Sequence, residues 1–183
     1  SKVRSKRAEW IRMAVENAEL NLNTYQLNKE NVYSRFEDLQ KALKLRELPE
    51  RLECFDVSHT MGEATVASCV VFDHGGPLKT DYRRFNIEGV VPGDDYEATE
   101  QALRRRYSRL KKEEAVLPDL LVIDGGRGQI SRAIKVLKDL ELPQIKILGI
   151  AKGPDRKAGH EKFYSSGIEV SFGSHLAASQ LLQ

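Results

Sequence analysis

The first 48 residues contain neither glycine nor proline, and their apolar positions recur at helical spacing. Trp10 and Ile11 begin an apolar stripe, and Leu43 continues it beyond a polar stretch at residues 28–31. The pattern predicts one long helix, or two helices with a break at that stretch. We expect this arm to pack against another part of the protein or to link two domains.

From residue 51 onward the apolar period changes to the alternation and short apolar runs that are typical of strands. The pattern predicts three antiparallel strands, followed by a helix, a buried strand, a second helix and a further buried strand. A hairpin and the beginning of a helix complete the chain. The predicted strands are 52–57, 64–72, 79–87, 120–124 and 145–150, the predicted helices are 96–112 and 129–140, and the hairpin is 162–172.

This order of elements restricts the topology of the sheet. Right-handed crossovers place the fourth and fifth strands parallel to the first and beside it. The prediction is an α/β fold whose mixed five-stranded sheet has the order 3-2-1-4-5, with flanking helices, which is the ribonuclease H-like arrangement. Residues 1–48 are then a helical arm or linker, and residues 49–183 form the sheet domain.

Composition narrows the class of protein without naming a function. Of the 183 residues, 40% are hydrophobic and 31% charged, which favours a folded globular chain over a disordered one. The formal net charge is only +2, so an anionic partner has to be met by local patches. No apolar stretch approaches the length of a membrane span and the first residues lack the apolar core of a signal peptide, so we expect neither. Cys54 and Cys69 fall in predicted strands, where we expect buried, reduced thiols as in the cytoplasm.

Two aspartates stand out in apolar strands. Asp56 lies between Phe55 and Val57, and Asp124 follows four aliphatic residues. Each alone fits a strand-end aspartate that caps a turn, but adjacent strands would bring the two carboxylates together. Paired carboxylates of this kind are typical ligands of Mg²⁺ or Mn²⁺.

A third carboxylate is predicted at the start of the helix after residues 92–93. Asp94 or Asp95 could cap that helix, or could reach the same end of the sheet as the other two aspartates. The sequence leaves both alternatives open.

Basic residues cluster at places where a phosphate backbone could be bound. The glycine-rich turn 125–128 could offer backbone N–H groups and Arg127 to an anion, although its spacing fits no nucleotide-binding loop. The densest basic run lies on the predicted helix 96–112 and is either a solvated face or a phosphate track. The predicted DNA-contacting residues are Arg104, Arg105, Arg106, Arg127, Lys152 and Arg156.

Several long segments resemble one known family. The segments CFDVSHTMGEATVASCVVFD, DYRRFNIEGVVPGDDYEA, LRRRYS, PDLLVIDGGRGQ and LGIAKGPDRKAG are similar to the C-terminal nuclease half of the UvrC family, the nuclease component of the UvrABC excinuclease. The resemblance runs from about residue 49 to about residue 159, and residues 1–48 are similar to the segment that joins this half to the rest of the family's chain.

The resemblance implies an endonuclease domain that makes the incision 5′ to a lesion during bacterial nucleotide excision repair. It implies Asp56, Asp95 and Asp124 as catalytic residues, with Asp56 and Asp124 holding Mg²⁺ or Mn²⁺. The implied partners are damaged double-stranded DNA and the UvrB protein, the latter bound through a segment outside this chain. We expect a monomer that does not associate with membranes.

The end of the chain departs from the family's pattern. The family's catalytic histidine follows a segment like SPALHLLQ, whereas this chain reads SHLAASQLLQ, so we expect that histidine beyond Gln183. We also expect the chain to be a fragment without the GIY-YIG nuclease, the UvrB-binding segment and the helix-hairpin-helix pair, and to be weak or inactive alone. The alternatives are a non-catalytic DNA-binding or scaffold domain of this fold, and a ribonuclease H-like nuclease acting on another substrate.

Overall fold

The computed structural model describes residues 2–60, 64–91, 93–151, 162–165 and 168–171, together with residues 178 and 181. The helices are α1 (Lys2–Leu43), α2 (Asp95–Lys112) and α3 (Arg127–Asp139), and a short 3₁₀ turn covers Lys79–Asp81. The strands are β1 (Arg51–Thr60), β2 (Ala64–Asp73), β3 (Gly76–Pro77), β4 (Arg83–Ile87), β5 (Leu120–Asp124), β6 (Lys146–Ala151), β7 (Lys162–Ser165) and β8 (Ile168–Val170).

The sheet confirms the predicted order and corrects the predicted number of strands. Strands β4, β2, β1, β5 and β6 lie side by side in the predicted order 3-2-1-4-5, with β1, β5 and β6 parallel. The count of five is wrong, because the described part of the sheet has eight strands. Strand β3 adds to the end of β2, and the predicted hairpin, now β7 and β8, pairs with β6. The hairpin thereby covers backbone groups of β6 that would otherwise form an open edge.

The third predicted strand is shorter than expected. Residues 79–81 form the 3₁₀ turn, and pairing with β2 begins only at Arg83. Arg51 holds this turn against the sheet, because its Nη1 lies 2.7 Å from Oδ2 of Asp81. The same guanidinium keeps the pKa of the Asp81 carboxyl below its ordinary value.

The arm is one uninterrupted helix, so the alternative with a break at residues 28–31 is wrong. It ends where Lys44 takes a positive φ of 51° and the N–H of Leu45 donates to the carbonyl of Gln40. Its last turns bury Phe36 and Leu39 completely, whereas Trp10 is 66% exposed. Only the C-terminal part of the arm therefore packs on the sheet, and the domain boundary at residue 48 stays a prediction.

The two faces of the sheet have separate cores. We call the face covered by α2 and α3 the helix-pair face, and its core includes Phe55 and Ile123. We call the opposite face the arm face, where Leu52, Val122 and Leu148 pack with Phe36 of α1 and other apolar residues. Among the described residues no helix has the length and apolar character needed to cross a membrane.

A buried carboxylate, Glu53, fastens α2 to β1 on the helix-pair face. Its side chain is fully buried, and Arg106 of α2 lies 2.7 Å away through Nη2 and 3.2 Å away through Nε. Arg51 and the Tyr107 hydroxyl donate to the same carboxylate at 3.0 and 3.2 Å. A carboxylate with this many donors is stable in the interior. Burial, together with the nearby Glu53 charge, raises the pKa of Tyr107 well above its ordinary value.

A second ionic cluster holds α2 to α3. Glu100 of α2 accepts from Arg132 and Lys135 of α3, each at 3.0 Å, and from Arg104 at 2.9 Å. These donors lower the pKa of Glu100 from 4.5 to about 2. Beneath them α3 approaches β6 closely, since a side chain at Gly149 would overlap Ile130.

We expect Glu53→Gln to destabilise the fold strongly. The substitution removes the only negative charge paired with Arg106 in the described part of the chain and leaves that cation buried. Breaking a buried pair costs about 3–5 kcal/mol. Urea unfolding measures the loss. Glu113→Gln is the control, because Glu113 pairs with Arg109 on the surface and its removal costs less than about 1 kcal/mol. Equal losses in the two variants would contradict the interpretation of Glu53.

Glu100 is expected to make stability depend on acid pH. Its pKa is lower in the folded chain, so the unfolded chain binds the proton more readily and stability falls as the pH drops from 4.5 towards about 2. Glu100→Gln should flatten that part of the curve, measured by urea unfolding over a series of pH values. The exposed arm residue Glu9 gives the control Glu9→Gln, which should leave the curve unchanged. A wild-type slope in Glu100→Gln would rule out this origin.

Candidate active site

Asp56 and Asp124 lie side by side on the arm face, just beyond the last pair of the parallel ladder between β1 and β5. Asp124 ends β5, whereas β1 continues past Asp56 to Thr60. The last paired residues of β1 and β5 are Phe55 and Ile123, so each aspartate is one residue beyond that pair. Leu52 of β1 and Val122 of β5 belong to the arm-face core, and alternation along each strand puts the aspartates on the same face. The structure thus brings together the two carboxylates that the sequence pairs.

The negative charges of Asp56 and Asp124 act on the half-buried thiol of Cys54. Its pKa is raised from 9.0 to about 12, first by burial and then by the charges of Asp124 and Asp56. Both carboxylates therefore lie near the same thiol. Cys54 and Cys69 are free thiols, as predicted, although only Cys69 is fully buried.

Neither carboxylate is fully buried. Asp56 is exposed and Asp124 is half-buried, because the apolar cover of the arm face does not shield this row of the sheet. The cost of burying a charge is consequently not the reason to assign these residues a function. Their adjacency at an accessible position on the arm face is the reason that remains.

The structure separates the roles of Asp94 and Asp95. Asp94 is the N-cap of α2, and its Oδ1 accepts the N–H of Glu97 at 3.0 Å. Asp95 is the first helical residue and is half-buried, with its backbone carbonyl accepting the Thr99 hydroxyl at 2.6 Å. The capping function predicted for one of the pair thus belongs to Asp94.

The first turn of α2 lies against the first turn of α3. A side chain at Gly128 would overlap the ring of Tyr96, so the ring rests on that backbone. Gly128 follows Asp124 by four residues, and Tyr96 follows Asp95 directly. Within the described ranges no three His, Cys, Asp or Glu side chains are close enough to hold a metal ion together. The segment that carries Asp95 therefore lies next to the segment that carries Asp124. Asp95 does not, however, form a cluster of three carboxylates with Asp56 and Asp124.

Two backbone N–H groups of the glycine-rich turn already donate hydrogen bonds to other parts of the protein. The N–H of Gly125 donates to the Ile150 carbonyl at 2.9 Å, and the N–H of Gly126 donates to Oε1 of Gln129 at 3.0 Å. These bonds fix the turn after Asp124 and reduce its capacity to bind an anion. Arg127 is exposed, and its guanidinium carbon lies 5.2 Å from the centroid of the Tyr164 ring.

The predicted basic track on α2 is only partly a surface. Arg106 is buried against Glu53 and is unavailable to DNA, so its assignment is wrong. Arg104 is partly exposed and pairs with Glu100 and Asp139. Arg105 is exposed, donates to the carbonyl of Asn86 at 2.6 Å and lies over the ring of Phe85. Lys152 and Arg156 lie outside the described residues.

The role of Glu53 was not predicted from the sequence and Arg106 was misassigned, although a signal existed. The buried positions of α2 include 98, 99, 102, 103, 106, 107 and 110, a helical stripe that contains Arg106. An arginine within an apolar stripe needs a buried acidic partner. Glu53, in the middle of an apolar strand on the same face as Phe55, is that partner.

The sheet order and the paired aspartates agree with a match to a known protein family. The family model described as the UvrC RNAse H endonuclease domain matches residues 40–183. The chain belongs to this family.

Curated UvrC relatives match nearly the whole chain. UvrABC system protein C of Pseudomonas syringae pv. syringae is 58% identical over 184 residues, which cover 100% of this chain and 30% of the relative. The protein of the same name from Nitrosococcus oceani is 57% identical over 167 residues, or 91% of this chain and 27% of the relative. The chain thus spans less than a third of the length of these relatives.

Among solved structures, human endonuclease V aligns with 72% of this chain and 59% of its own, at 20% identity and a TM-score of 0.45. The match of the UvrC family model begins at residue 40, within the part of α1 that packs on the sheet.

We expect Asp94 to contribute to stability and Asp95 to contribute little. Asp94→Ala removes the cap of α2 and should lower the free energy of unfolding by about 1 kcal/mol, whereas Asp94→Asn keeps a capping oxygen and most of that stability. Asp95→Asn is expected to cost less than Asp94→Ala, because Asp95 supplies a first-turn charge and not the capping oxygen. Urea unfolding of the three variants tests this order. A loss in Asp95→Asn as large as that in Asp94→Ala would contradict the separation of roles.

Proposed function

We propose that this domain is a divalent-metal-dependent endodeoxyribonuclease that makes the 5′ incision in bacterial nucleotide excision repair. The adjacency of Asp56 and Asp124 in β1 and β5 is the observation that carries the proposal. Membership of the UvrC family supports an endonuclease domain, and relatives named UvrABC system protein C support a function in that excinuclease.

The donor set fits a hard divalent cation. Two carboxylates on one face, one exposed and the other half-buried, offer oxygen ligands and leave room for water and a phosphate. Asp56 and Asp124 would hold Mg²⁺ or Mn²⁺, which polarises a phosphodiester and lowers the pKa of a bound water. Like charges on neighbouring strands repel each other, so a cation between them relieves an unfavourable interaction.

The other proposed site residues bind and orient. Asp95, at the start of α2, would accept a hydrogen bond from the attacking water and direct it toward the phosphorus. Arg127, Arg105 and Arg104, with Lys152 and Arg156, would contact the DNA backbone without reading its sequence. Such contacts suit a nuclease that cuts beside lesions in any sequence. The proposed partners are damaged double-stranded DNA and UvrB, which would select the position of the cut, and the proposed state is a cytoplasmic monomer.

The pair of aspartates should control metal binding. Added Mn²⁺ is expected to raise the midpoint of thermal unfolding of the 183-residue chain, and Asp56→Asn or Asp124→Asn should abolish that rise because each removes one ligand. Asp139→Asn is the matched control, since this exposed aspartate at the end of α3 lies away from the pair. The control should respond to Mn²⁺ like the wild type.

Incision assays test the reaction itself. In a full-length UvrC, Asp56→Asn or Asp124→Asn should abolish the 5′ cut in lesion-containing DNA and spare the 3′ cut. Equal loss of both cuts would contradict the assignment. Absence of any Mn²⁺ effect on the wild-type chain would favour a DNA-binding domain without catalysis, and cleavage of RNA–DNA hybrids in place of DNA would indicate a different substrate.

A further inference from the structure

An arginine that the sequence does not single out lies in the same row of the sheet as the two aspartates. Asp56 of β1 is opposite Ser68 of β2, and Ser68 is opposite Arg84 of β4. Two strand spacings correspond to about 10 Å between the α-carbons of Asp56 and Arg84. The row therefore runs Arg84, Ser68, Asp56, Asp124 across four neighbouring strands.

Arg84 projects on the same face as the aspartates. Phe85 and Ile87 of β4 are buried in the core of the helix-pair face, and alternation along the strand directs Arg84 to the arm face. On that face, Leu52 and Cys54 of β1 and the apolar residues level with them on β5 belong to the core under α1. The next row is polar on β4, β2, β1 and β5. The change from apolar to polar thus occurs at the row of the aspartates.

Arg84 also differs from its neighbours in its contacts. It is exposed and makes no hydrogen bond or ion pair with the residues that the structure describes. Arg83, next to it, donates to the carbonyls of Thr80 and Tyr82 at 2.9 and 2.7 Å. Arg105 on α2 donates to the carbonyl of Asn86. Arg84 is thus a cation in the row of the carboxylates whose donors are available to a ligand.

We propose that Arg84 binds a backbone phosphate of the DNA strand that is cut at Asp56 and Asp124. The inference rests on the proposed nuclease function and adds the path of the substrate, across the β4–β2–β1 side of the arm face. A guanidinium donates two parallel hydrogen bonds to a phosphate, which positions the strand without reading its bases. The aspartate pair would then hold one phosphate of the strand through a cation, and Arg84 would hold another phosphate on the other side of Ser68.

The test is DNA binding by the 183-residue chain as a function of salt concentration. A short fluorescein-labelled DNA duplex is titrated without divalent metal, and the logarithm of the binding constant is plotted against that of the salt concentration. Arg84→Gln should weaken binding about tenfold at low salt and reduce the slope by about 0.9, the value for one phosphate contact. Arg84→Lys should keep the slope, because the charge remains.

Arg83→Gln is the matched control. It removes the same charge one residue away, from a side chain on the other face of β4. It should keep the wild-type slope, and thermal unfolding of all variants confirms that they are folded. Equal effects of Arg84→Gln and Arg83→Gln, or no DNA binding by the wild type, would overturn the proposal. Failure of the proposed nuclease function would be detected separately, in the Mn²⁺ experiment. In that case Mn²⁺ would raise the midpoint of thermal unfolding of Asp124→Asn as much as that of the wild type.

Discussion

The parallel pairing of β1 with β5 is the constraint on which the site depends. Phe55 is opposite Ile123, and this register alone sets Asp56 beside Asp124. A slip of one residue would turn Asp124 onto the helix-pair face, away from Asp56. The register is held by apolar residues on both faces, since Leu120 to Ile123 are all buried. The packing of the cores on the two faces of the sheet thus determines that Asp56 and Asp124 are adjacent.

One strand carries two carboxylates with opposite consequences. Glu53 and Asp56 are three residues apart on β1 and point to opposite faces of the sheet. Glu53 is enclosed by Arg106, Arg51 and Tyr107, so its charge is compensated within the fold. Asp56 is exposed beside a second carboxylate on the arm face, where a cation from solution can approach. The surroundings of each carboxylate, and not its residue type, separate a structural group from a candidate ligand.

The sequence predicted the order of the central strands because that order follows from local signals and one chirality rule. Apolar runs such as 120–123 mark buried parallel strands, and right-handed crossovers leave few arrangements. It did not predict that the hairpin joins the sheet, because pairing at the edge of β6 is a tertiary event that periodicity does not encode. The burial of Arg106 and the exposure of Asp56 also escaped prediction. Alternation shows which face a side chain takes and does not show what covers that face.

The placement of Asp95 follows from contacts at both ends of α2. At one end Arg106 is fixed to Glu53 of β1, and at the other the Tyr96 ring rests on Gly128 of α3. Between Asp95 and Arg106 the helix rises about 16 Å, whereas Glu53 and Asp56 are about 10 Å apart along β1. A rigid helix anchored at Glu53 therefore brings Asp95 to a level beyond that of Asp56 along β1. The buried ion pair on the helix-pair face thus fixes how far the start of α2 extends along the sheet, and with it the height of Asp95 relative to the aspartate pair.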